Sequence, residues 1–400
     1  MITVEQHRQR ILAAVRPLEA SRMPLGAALG RILREPVLSA VDLPLFDNSA
    51  MDGFAVHFDD VAQASASSPV SLEVVADMPA GSSADPSFGP GQAVRIMTGA
   101  AMPSDADAVV PFEDTEGGLA DSMGSIRILA APRSRGQHIR PQGEECRAGD
   151  EILPAGTEMG GRQLAAAAAA GVQEVVVSRA PRVAVISTGD ELRQPGEELS
   201  RGQIPESNST LLEGLCRENG AEVVLRTSVT DDGDGLRAAL ADATALGADV
   251  VITSGGVSEG AYEVVKQVAR MQFDKVAMQP GKPQGFGSDG SGPLLFGLPG
   301  NPVSVAVSFE VFVRPALRAM QGAADLDRLV VRLPVVEAWR TPAERQQYRP
   351  VLVTPAGVQP ASSGGSHLAA SLGRAEAYAV VPADVDHVQV GDLVDVMLVP

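Results

Sequence analysis

The chain has 400 residues, of which 44% are hydrophobic and 20% are charged, and its formal net charge is −18 at pH 7. This length predicts two to four globular domains, and an acidic chain without clusters of Lys or Arg is not expected to bind nucleic acid. Two cysteines form no disulfide framework, no apolar run reaches the ~18–20 residues of a membrane helix, and no signal-like segment opens the chain, so we expect a cytoplasmic protein without membrane segments.

The first predicted elements are an amphipathic helix, a β-rich region and an alanine-rich helix. Thr3 and Gln6 fit a capping box, and apolar residues at helical spacing predict a helix from there to about Glu19. The alanine run at 164–170, which ends at Gly171, predicts a second helix. Short β-like runs separated by Gly, Pro and Asp turns predict strands at 70–76, 93–97, 108–112 and 125–130.

From residue 182 the pattern alternates between strands and helices. Strands are predicted at 183–187, 222–227, 249–253, 275–278 and 294–298, and helices at 208–218, 235–246, 262–271 and 302–320. This alternation predicts a parallel sheet with helices on both faces. The remaining residues return to strands that predict a small barrel or sandwich, at 329–336, 349–353, 377–381 and 393–399.

Three glycine-rich turns follow predicted strands of this sheet, at 254–258, 280–283 and 297–302. Ligands of open parallel sheets bind beyond the carboxyl ends of the strands, and glycine lets backbone amides approach a phosphate. Lys282 adds a positive charge, and Asn301 precedes a predicted helix start that favours an anion. The alternative is that Gly and Pro only shape tight turns. None of the three is a Walker A loop or a G-x-G-x-x-G motif.

An acidic segment follows the first strand of the same sheet. Asp190 and Glu191 come directly after Ser187, Thr188 and Gly189. Carboxylate oxygens suit Mg²⁺, which commonly takes one or two of them and completes its shell with water and phosphate. The alternative is that the two acids open a helix, where carboxylates are also favoured.

The most informative stretch is 42–56, in which Asp47, Asn48, Ser49 and Asp52 stand beside Gly53. Such polar groups are costly to bury without partners, so they either form turns or belong to a site. This stretch, together with the Gly-Leu-Pro-Gly-Asn-Pro motif at 297–302, closely resembles the molybdopterin molybdenumtransferases. These enzymes insert molybdenum during molybdenum cofactor synthesis, and the E domain of gephyrin is a eukaryotic relative. The resemblance extends in order along nearly the whole chain.

The resemblance implies a multidomain α/β homodimer. It implies a discontinuous linking domain, a β-rich domain, a β/α domain like that of the molybdopterin adenylyltransferases, and a C-terminal β-barrel-like domain. The site is implied to lie between the β/α domain of one subunit and the stretch around Asp52 of the other. The corresponding boundaries are 1–44 with 141–178, 45–140, 179–326 and 327–400.

The resemblance also implies the chemistry. The substrate is adenylylated molybdopterin, molybdate is added to its dithiolene sulfurs, AMP leaves, Mg²⁺ is required, and this is the last step of the pathway. Expected partners are a second copy, a molybdopterin adenylyltransferase, and apo-molybdoenzymes or their chaperones. The candidate residues are Asp52, Thr98, Glu191 and Lys282 for catalysis; Asp190, Glu191, Glu145 and Glu263 for the metal; and Asn48, Ser49, Gly99, Ser254, Gly255, Gly256, Gly281, Gly300, Asn301, Pro302, Arg349 and Ser366 for the substrate.

Two departures from the family pattern qualify this reading. Gln279 stands where many relatives carry Lys, and the position of a family Asp falls on Ala261 or a gap. We hypothesise that one of Glu259 and Glu263, with Glu263 preferred, supplies that carboxylate; the alternative is that both are solvated helix-start residues. Two other functions fit the same fold: a non-catalytic carrier or scaffold for the cofactor, and a molybdopterin adenylyltransferase.

Overall fold

The computed structural model of the protein describes residues 1–118, 123–230, 233–255, 271–288, 290 and 292–399. The predicted helix at 262–271 and the candidates Gly256 and Glu263 lie outside the described residues, apart from Met271 at the end of that helix. Within the described ranges, every helix is too short or too polar to span a bilayer.

The first helix, α1 (Val4–Ala14), begins at the predicted capping box. The Thr3 hydroxyl accepts a hydrogen bond from the Gln6 amide at 3.1 Å, and the Gln6 side chain accepts one from the Thr3 amide at 2.9 Å. The predicted end at Glu19 is wrong, because Pro17 disfavours helical geometry at the residue before it and Val15 is already extended.

Eleven strands and two further helices follow up to residue 178. They are β1 (Ala20–Pro24), β2 (Val37–Leu38), β3 (Asn48–Ser49), β4 (Gly53–Val56), α2 (Phe58–Val61), β5 (Val70–Met78), β6 (Gln92–Ile96), β7 (Ala108–Pro111), β8 (Gly124–Ile128), β9 (Ile139–Arg140), β10 (Glu151–Leu153), α3 (Gly161–Ala169) and β11 (Glu174–Ser178).

A five-stranded sheet in the order β7-β4-β6-β5-β8 forms the predicted β-rich region. A Cβ at Gly53 would lie 2.1 Å from the Val110 carbonyl oxygen, so the β4–β7 contact requires glycine there. The small β3–β9 ladder also lies within this region. Two other pairs, β1–β11 and β2–β10, join the segment before this region to the segment after it.

The alternating region continues from residue 182. Its elements are β12 (Arg182–Thr188), β13 (Leu192–Arg193), β14 (Ile204–Pro205), α4 (Asn208–Glu218), β15 (Glu222–Val229), α5 (Gly233–Ala245), β16 (Val250–Gly255), β17 (Gln272–Lys275), β18 (Met278–Gln279), β19 (Pro283–Gly287), β20 (Leu294–Leu298), α6 (Pro302–Ser308), a π-helical turn (Phe309–Val313) and α7 (Arg314–Gln321).

The main sheet has the order β15-β12-β16-β20-β19-β17. Its first four strands are parallel, as predicted, whereas β19 and β17 run antiparallel to their neighbours. The predicted strand at 275–278 is wrong. The chain turns at Val276, whose amide donates to the Lys282 carbonyl at 2.8 Å, and the following β18 pairs with a strand of the C-terminal sheet.

The C-terminal part is β-rich, as predicted. Its elements are β21 (Val330–Pro334), β22 (Trp339–Arg340), β23 (Gln346–Thr354), β24 (Gly357–Pro360), α8 (Ala369–Leu372), β25 (Ala377–Val381), β26 (His387–Val388) and β27 (Leu393–Leu398). The order β18-β23-β25-β27-β21 is extended by β24, which pairs with β23. A bridge between Val335 and Val358 then joins the end of β21 to β24, so the sheet curls back on itself.

Candidate functional site

The carboxyl ends of the parallel strands β12, β16 and β20 meet at one edge of the main sheet, which we call the carboxyl edge. The turns that begin at Gly255 and Pro299 follow two of these strands. The turn with Gly281 and Lys282 reaches the same edge by another route, because it precedes β19, which runs antiparallel to β20. The three glycine-rich turns therefore share one edge, although only two of them follow parallel strands.

Two of these turns pack closely. Gly255 has a φ of +91°, and a Cβ there would lie 2.3 Å from the Thr188 carbonyl oxygen. A Cβ at Gly300 would lie 3.5 Å from the Gly255 Cα. Only glycine fits at position 255, which brings the ends of β12, β16 and β20 into contact.

The start of α6 is covered by the C-terminal part of the chain. Asn301 stands at the N-cap but caps no helix amide; its side-chain amide donates to Ser366 Oγ at 2.8 Å. The backbone amide of Val303 donates to the Ser366 carbonyl at 3.2 Å, and Pro302 has no amide hydrogen. Two predicted substrate residues, Asn301 and Ser366, thus bond to each other. The helix start offers fewer free amides to an anion than its sequence indicates.

The acidic pair lies on an exposed turn at the carboxyl edge. Asp190 and Glu191 connect β12 to β13, and the next helix begins only at Asn208. The alternative that these acids open a helix is therefore wrong. The Glu191 carbonyl accepts from the Ile204 amide at 2.9 Å, which holds the turn while its side chain lies at the surface.

Beneath this edge lies a buried carboxylate that the sequence reasoning missed. Glu206 is 1% exposed and accepts hydrogen bonds from Ser187 Oγ at 2.8 Å, from the Ser209 amide at 2.8 Å and from the Ser209 hydroxyl. Ser187 Oγ also lies 3.2 Å from Ser254 Oγ. Ser254, a predicted substrate residue, is 1% exposed, so its side chain belongs to this network. The sequence does carry a local signal for this site, because the acidic residue Glu206 stands just before the predicted helix start at Asn208.

A second group of predicted residues meets in the β-rich region. Asp52 Oδ1 accepts from the Thr98 amide and from the Thr98 hydroxyl, both at 2.7 Å. The Thr98 amide, then its hydroxyl, and to a lesser extent the charge of Arg95, hold the pKa of Asp52 below its ordinary value. The carboxylate is therefore an exposed anion that is bonded to the Thr98 turn, in which Gly99 has a φ of +81°.

Asn48 and Ser49 shape the backbone beside Asp52. Asn48 is 6% exposed and its amide donates to the Phe46 carbonyl at 3.2 Å, whereas Ser49 is fully buried and donates to the Met51 carbonyl at 2.6 Å. Glu145 is exposed on the neighbouring segment, which its amide ties to the Leu43 carbonyl at 2.9 Å. The 42–56 stretch and the 139–150 segment thus meet. The hydrogen bonds of Asp52 and Thr98 stay within this region and do not reach the carboxyl edge.

Arg349 lies in a small cleft that Pro280 and Ser366 also line. Its guanidinium donates to the Ser362 carbonyl at 3.0 Å and lies 5.5 Å from the centre of the Trp339 ring. Burial lowers the pKa of Arg349 from its ordinary value, and the charge of Glu337 opposes that shift. This arrangement brings Arg349 and Ser366, two predicted substrate residues of the C-terminal part, close to the turn that carries Lys282.

The departure at Gln279 brings a different cation to the same turn. The Gln279 side-chain oxygen accepts from Arg345 Nη1 at 3.0 Å. Lys282 itself is partly buried on this turn. A guanidinium therefore lies beside Gln279, close to the turn that carries Lys282.

The donor set at the carboxyl edge fits a magnesium ion in part. Within the described ranges, no group of three or more His, Cys, Asp or Glu side chains comes together as a complete metal site. Two adjacent carboxylates, Asp190 and Glu191, match the number of protein ligands that Mg²⁺ commonly takes when phosphate and water complete its shell.

Comparison with known proteins covers nearly the whole chain. Residues 2–171 match the family model described as the MoeA N-terminal region (domain I and II), residues 184–319 that of a probable molybdopterin binding domain, and residues 332–399 that of the MoeA C-terminal region (domain IV).

Curated relatives and solved structures agree with these matches. Molybdopterin molybdenumtransferase 2 of Mycobacterium tuberculosis is 41% identical over 98% of each chain, and a molybdopterin molybdenumtransferase of Staphylococcus aureus is 33% identical over 99% of this chain and 95% of its own. A molybdopterin biosynthesis moeA protein from Pyrococcus horikoshii superposes over all of both chains with a TM-score of 0.86 at 28% identity. Another solved structure, of a molybdopterin biosynthesis moea protein from Pyrococcus horikosii, gives a TM-score of 0.79 at 32% identity over 100% of this chain and 99% of its own. The chain therefore belongs to the molybdopterin molybdenumtransferase family and is a transferase of molybdenum cofactor biosynthesis.

Proposed function

We propose that the protein inserts molybdate into adenylylated molybdopterin, releases AMP and requires Mg²⁺, as the last step of molybdenum cofactor biosynthesis. One observation carries the proposal. Three glycine-rich turns, one with Lys282, share the carboxyl edge of the sheet that matches a probable molybdopterin binding domain. An elongated ligand with several phosphate oxygens needs backbone amides at separate points, which such an edge provides.

The residues of the carboxyl edge take distinct roles in this proposal. Gly255, Gly281 and Gly300 let the backbone approach the phosphates, and Lys282 and Arg349 bind oxyanions. Asp190 and Glu191 hold Mg²⁺. When bound, that ion offsets the negative charge that gathers as the pyrophosphate bond breaks.

Asp52 and Thr98 of a second subunit complete the site at the carboxyl edge. The exposed Asp52 carboxylate has bonds only within the β-rich region, so it is free to face another chain. Leu45 and Phe46, which are 56% and 45% exposed, belong to the same 42–56 stretch and offer apolar surface for such a contact. In the dimer, Asp52 and Thr98 lie next to molybdate, with Glu145 as a further carboxylate.

The proposed partners are the proteins that supply the substrate of this reaction and receive its product. A molybdopterin adenylyltransferase supplies the adenylylated substrate, and an apo-molybdoenzyme or its chaperone receives the product. Both described cysteines, Cys146 and Cys216, are free thiols, which fits a reducing cytoplasm.

The test is an insertion assay with purified protein, adenylylated molybdopterin and molybdate, with and without Mg²⁺. We expect active cofactor, detected by reconstitution of an apo-molybdoenzyme, and one AMP for each cofactor formed. Molybdopterin with ATP is the control substrate pair: AMP transfer onto molybdopterin would indicate an adenylyltransferase instead. Tight cofactor binding without AMP release would indicate a carrier.

A further inference from the structure

The Glu206 carboxylate is buried without a cationic partner. It is 1% exposed, and none of the ion pairs in the described part of the chain includes it. A buried charge without a partner of opposite sign is expensive, and hydrogen bonds must hold it in place. Capping α4 alone does not account for the charge, because an uncharged Ser, Thr or Asn caps a helix about as well.

The hydrogen bonds around Glu206 have a fixed direction. An ionised carboxylate only accepts, so the Ser187 and Ser209 hydroxyls both donate to it. Because Ser187 already donates its only hydroxyl hydrogen to Glu206, the Ser254 hydroxyl must be the donor in its bond with Ser187. A single chain of donors thus runs from the end of β16 through the end of β12 to Glu206.

This chain of bonds reaches three of the turns at the carboxyl edge. Ser187 precedes the turn with Asp190 and Glu191, and Ser254 precedes Gly255. On the other side, Ser209 is adjacent to Asn208, whose side-chain amide donates to the Gly300 carbonyl at 2.7 Å. The end of β12 is therefore bonded directly to the Glu206 carboxylate, the end of β16 is linked to it through Ser187, and the turn before α6 is linked to it through the Asn208–Ser209 backbone.

We propose that Glu206 is the positioning residue of the carboxyl edge. It sets the relative positions of the Asp190, Gly255 and Gly300 turns and thereby the affinity of the protein for its pterin phosphate substrate. This inference rests on the proposed function for the identity of the ligand. Glu206 itself touches no substrate; it acts through Ser187, Ser254 and Asn208.

Two single-hydroxyl variants separate this role from simple helix capping. Ser187→Ala and Ser209→Ala each remove one hydroxyl from the same carboxylate, but only the first detaches it from the strand ends. The probe is molybdopterin, titrated anaerobically by calorimetry. We expect Ser187→Ala to raise Kd about tenfold, Ser209→Ala to leave it within about twofold of wild type, and both to lower the melting temperature similarly. Equal changes in Kd would reduce Glu206 to a helix cap and overturn the inference.

A second pair tests geometry against charge. Glu206→Gln can keep its bonds, because the Ser209 hydroxyl can rotate and accept from the new amide. Glu206→Leu loses them all. We expect Glu206→Gln to bind molybdopterin at least tenfold more tightly than Glu206→Leu, with the difference in KM rather than kcat during insertion. The control is Glu310→Gln, which changes another buried carboxylate and should alter stability but not Kd. Equal binding by the two Glu206 variants contradicts positioning.

Wild-type protein separates this inference from the function on which it rests. If wild type binds molybdopterin and inserts molybdate, yet Ser187→Ala binds as tightly, only the positioning role fails. If wild type neither binds molybdopterin nor inserts molybdate, the proposed function fails and the inference falls with it.

Discussion

At the scale of single residues, Asp52 and Thr98 show both the reach and the limit of sequence reasoning. The family resemblance implied both as site residues, but their mutual bond joins positions 46 residues apart and emerges only in the fold. Glu206 was missed for the same reason, since its partner Ser187 bonds to a serine 67 residues away. A buried polar network depends on which strands are neighbours, and local spacing does not contain that information.

Asp52→Asn should slow molybdenum insertion at least tenfold while the melting temperature stays near that of wild type. Asn keeps an oxygen that accepts both Thr98 bonds, so the turn survives while the charge is lost. The depressed pKa keeps Asp52 ionised above its unfolded value, and its bonds would weaken only as the pH falls through the lower folded value. The rate ratio to wild type should therefore be the same at about pH 6 and about pH 8. A ratio that approaches one, or that varies between these pH values, contradicts this role.

Thr188→Val should stabilise the protein by about 1 kcal/mol. The Thr188 hydroxyl is buried and has no hydrogen-bond partner among the described residues, and Val has nearly the same shape without the polar atom. Urea unfolding measures the change. The matched control is Thr253→Val on the neighbouring strand, where the hydroxyl donates to the Phe296 carbonyl at 3.3 Å and its loss should destabilise. Stabilisation by neither variant, or by both, would show that the unpaired hydroxyl is not the cause.

At the scale of elements, most errors have a local physical cause. Helix α1 ends early because of Pro17, and β19 was not predicted because Pro283, Gly285 and Gly287 have low strand propensity. In the fold Gly285 is required, since a Cβ there would lie 2.6 Å from the Phe273 ring. The helix predicted at 302–320 forms, but a π-helical turn interrupts it. Apolar periodicity alone does not reveal that insertion.

The π-helical turn carries a buried ion pair that should be expensive to break. Glu310 is 4% exposed and accepts from Arg328 at 2.9 and 3.1 Å, and it lies 3.8 Å from Arg314. Burial lowers the pKa of Arg314 to about 10. Glu310→Ala leaves this arginine buried without its carboxylate, so we expect a loss of about 3 kcal/mol in the free energy of unfolding.

Denaturant unfolding with a surface control measures that loss. Glu213 pairs with Arg217 and Arg226 at 2.7 and 2.6 Å, but those partners are 68% and 37% exposed. Glu213→Ala should therefore cost less than about 1 kcal/mol. Similar losses for the two variants would mean that the Glu310 network adds no more than a surface pair.

At the scale of the whole molecule, composition and pattern predicted the multidomain α/β class, and the family and structural matches confirm it. The sequence did not predict three features of the sheets, because each depends on pairings between distant segments. These are the order of strands in the main sheet, the antiparallel direction of β19 and the pairing of β18 with the C-terminal sheet. The domain boundaries and the homodimer remain predictions.

Sedimentation should give twice the 41.4 kDa chain mass at micromolar concentration. Phe46→Glu places a charge on the exposed apolar surface of the 42–56 stretch, and we expect it to yield monomers that lose insertion activity. Leu246→Glu is the control: Leu246 is 42% exposed but precedes β16, at the opposite edge of the sheet. A fully active wild-type monomer, or a Phe46→Glu dimer with normal activity, contradicts the shared site.

The placement of β18 has a mechanical consequence. β18 is hydrogen-bonded into the C-terminal sheet, whereas β19, only a few residues later, belongs to the main sheet. The C-terminal part is thus attached to the β/α region here, through the chain that follows α7, and through the hydrogen bonds of Ser366 to Asn301 and Val303. A body held at three separate places cannot swing as a rigid unit unless one attachment breaks. Arg349 and Ser366 therefore keep their positions relative to the Lys282 turn, and the cleft between them keeps its shape while these attachments hold.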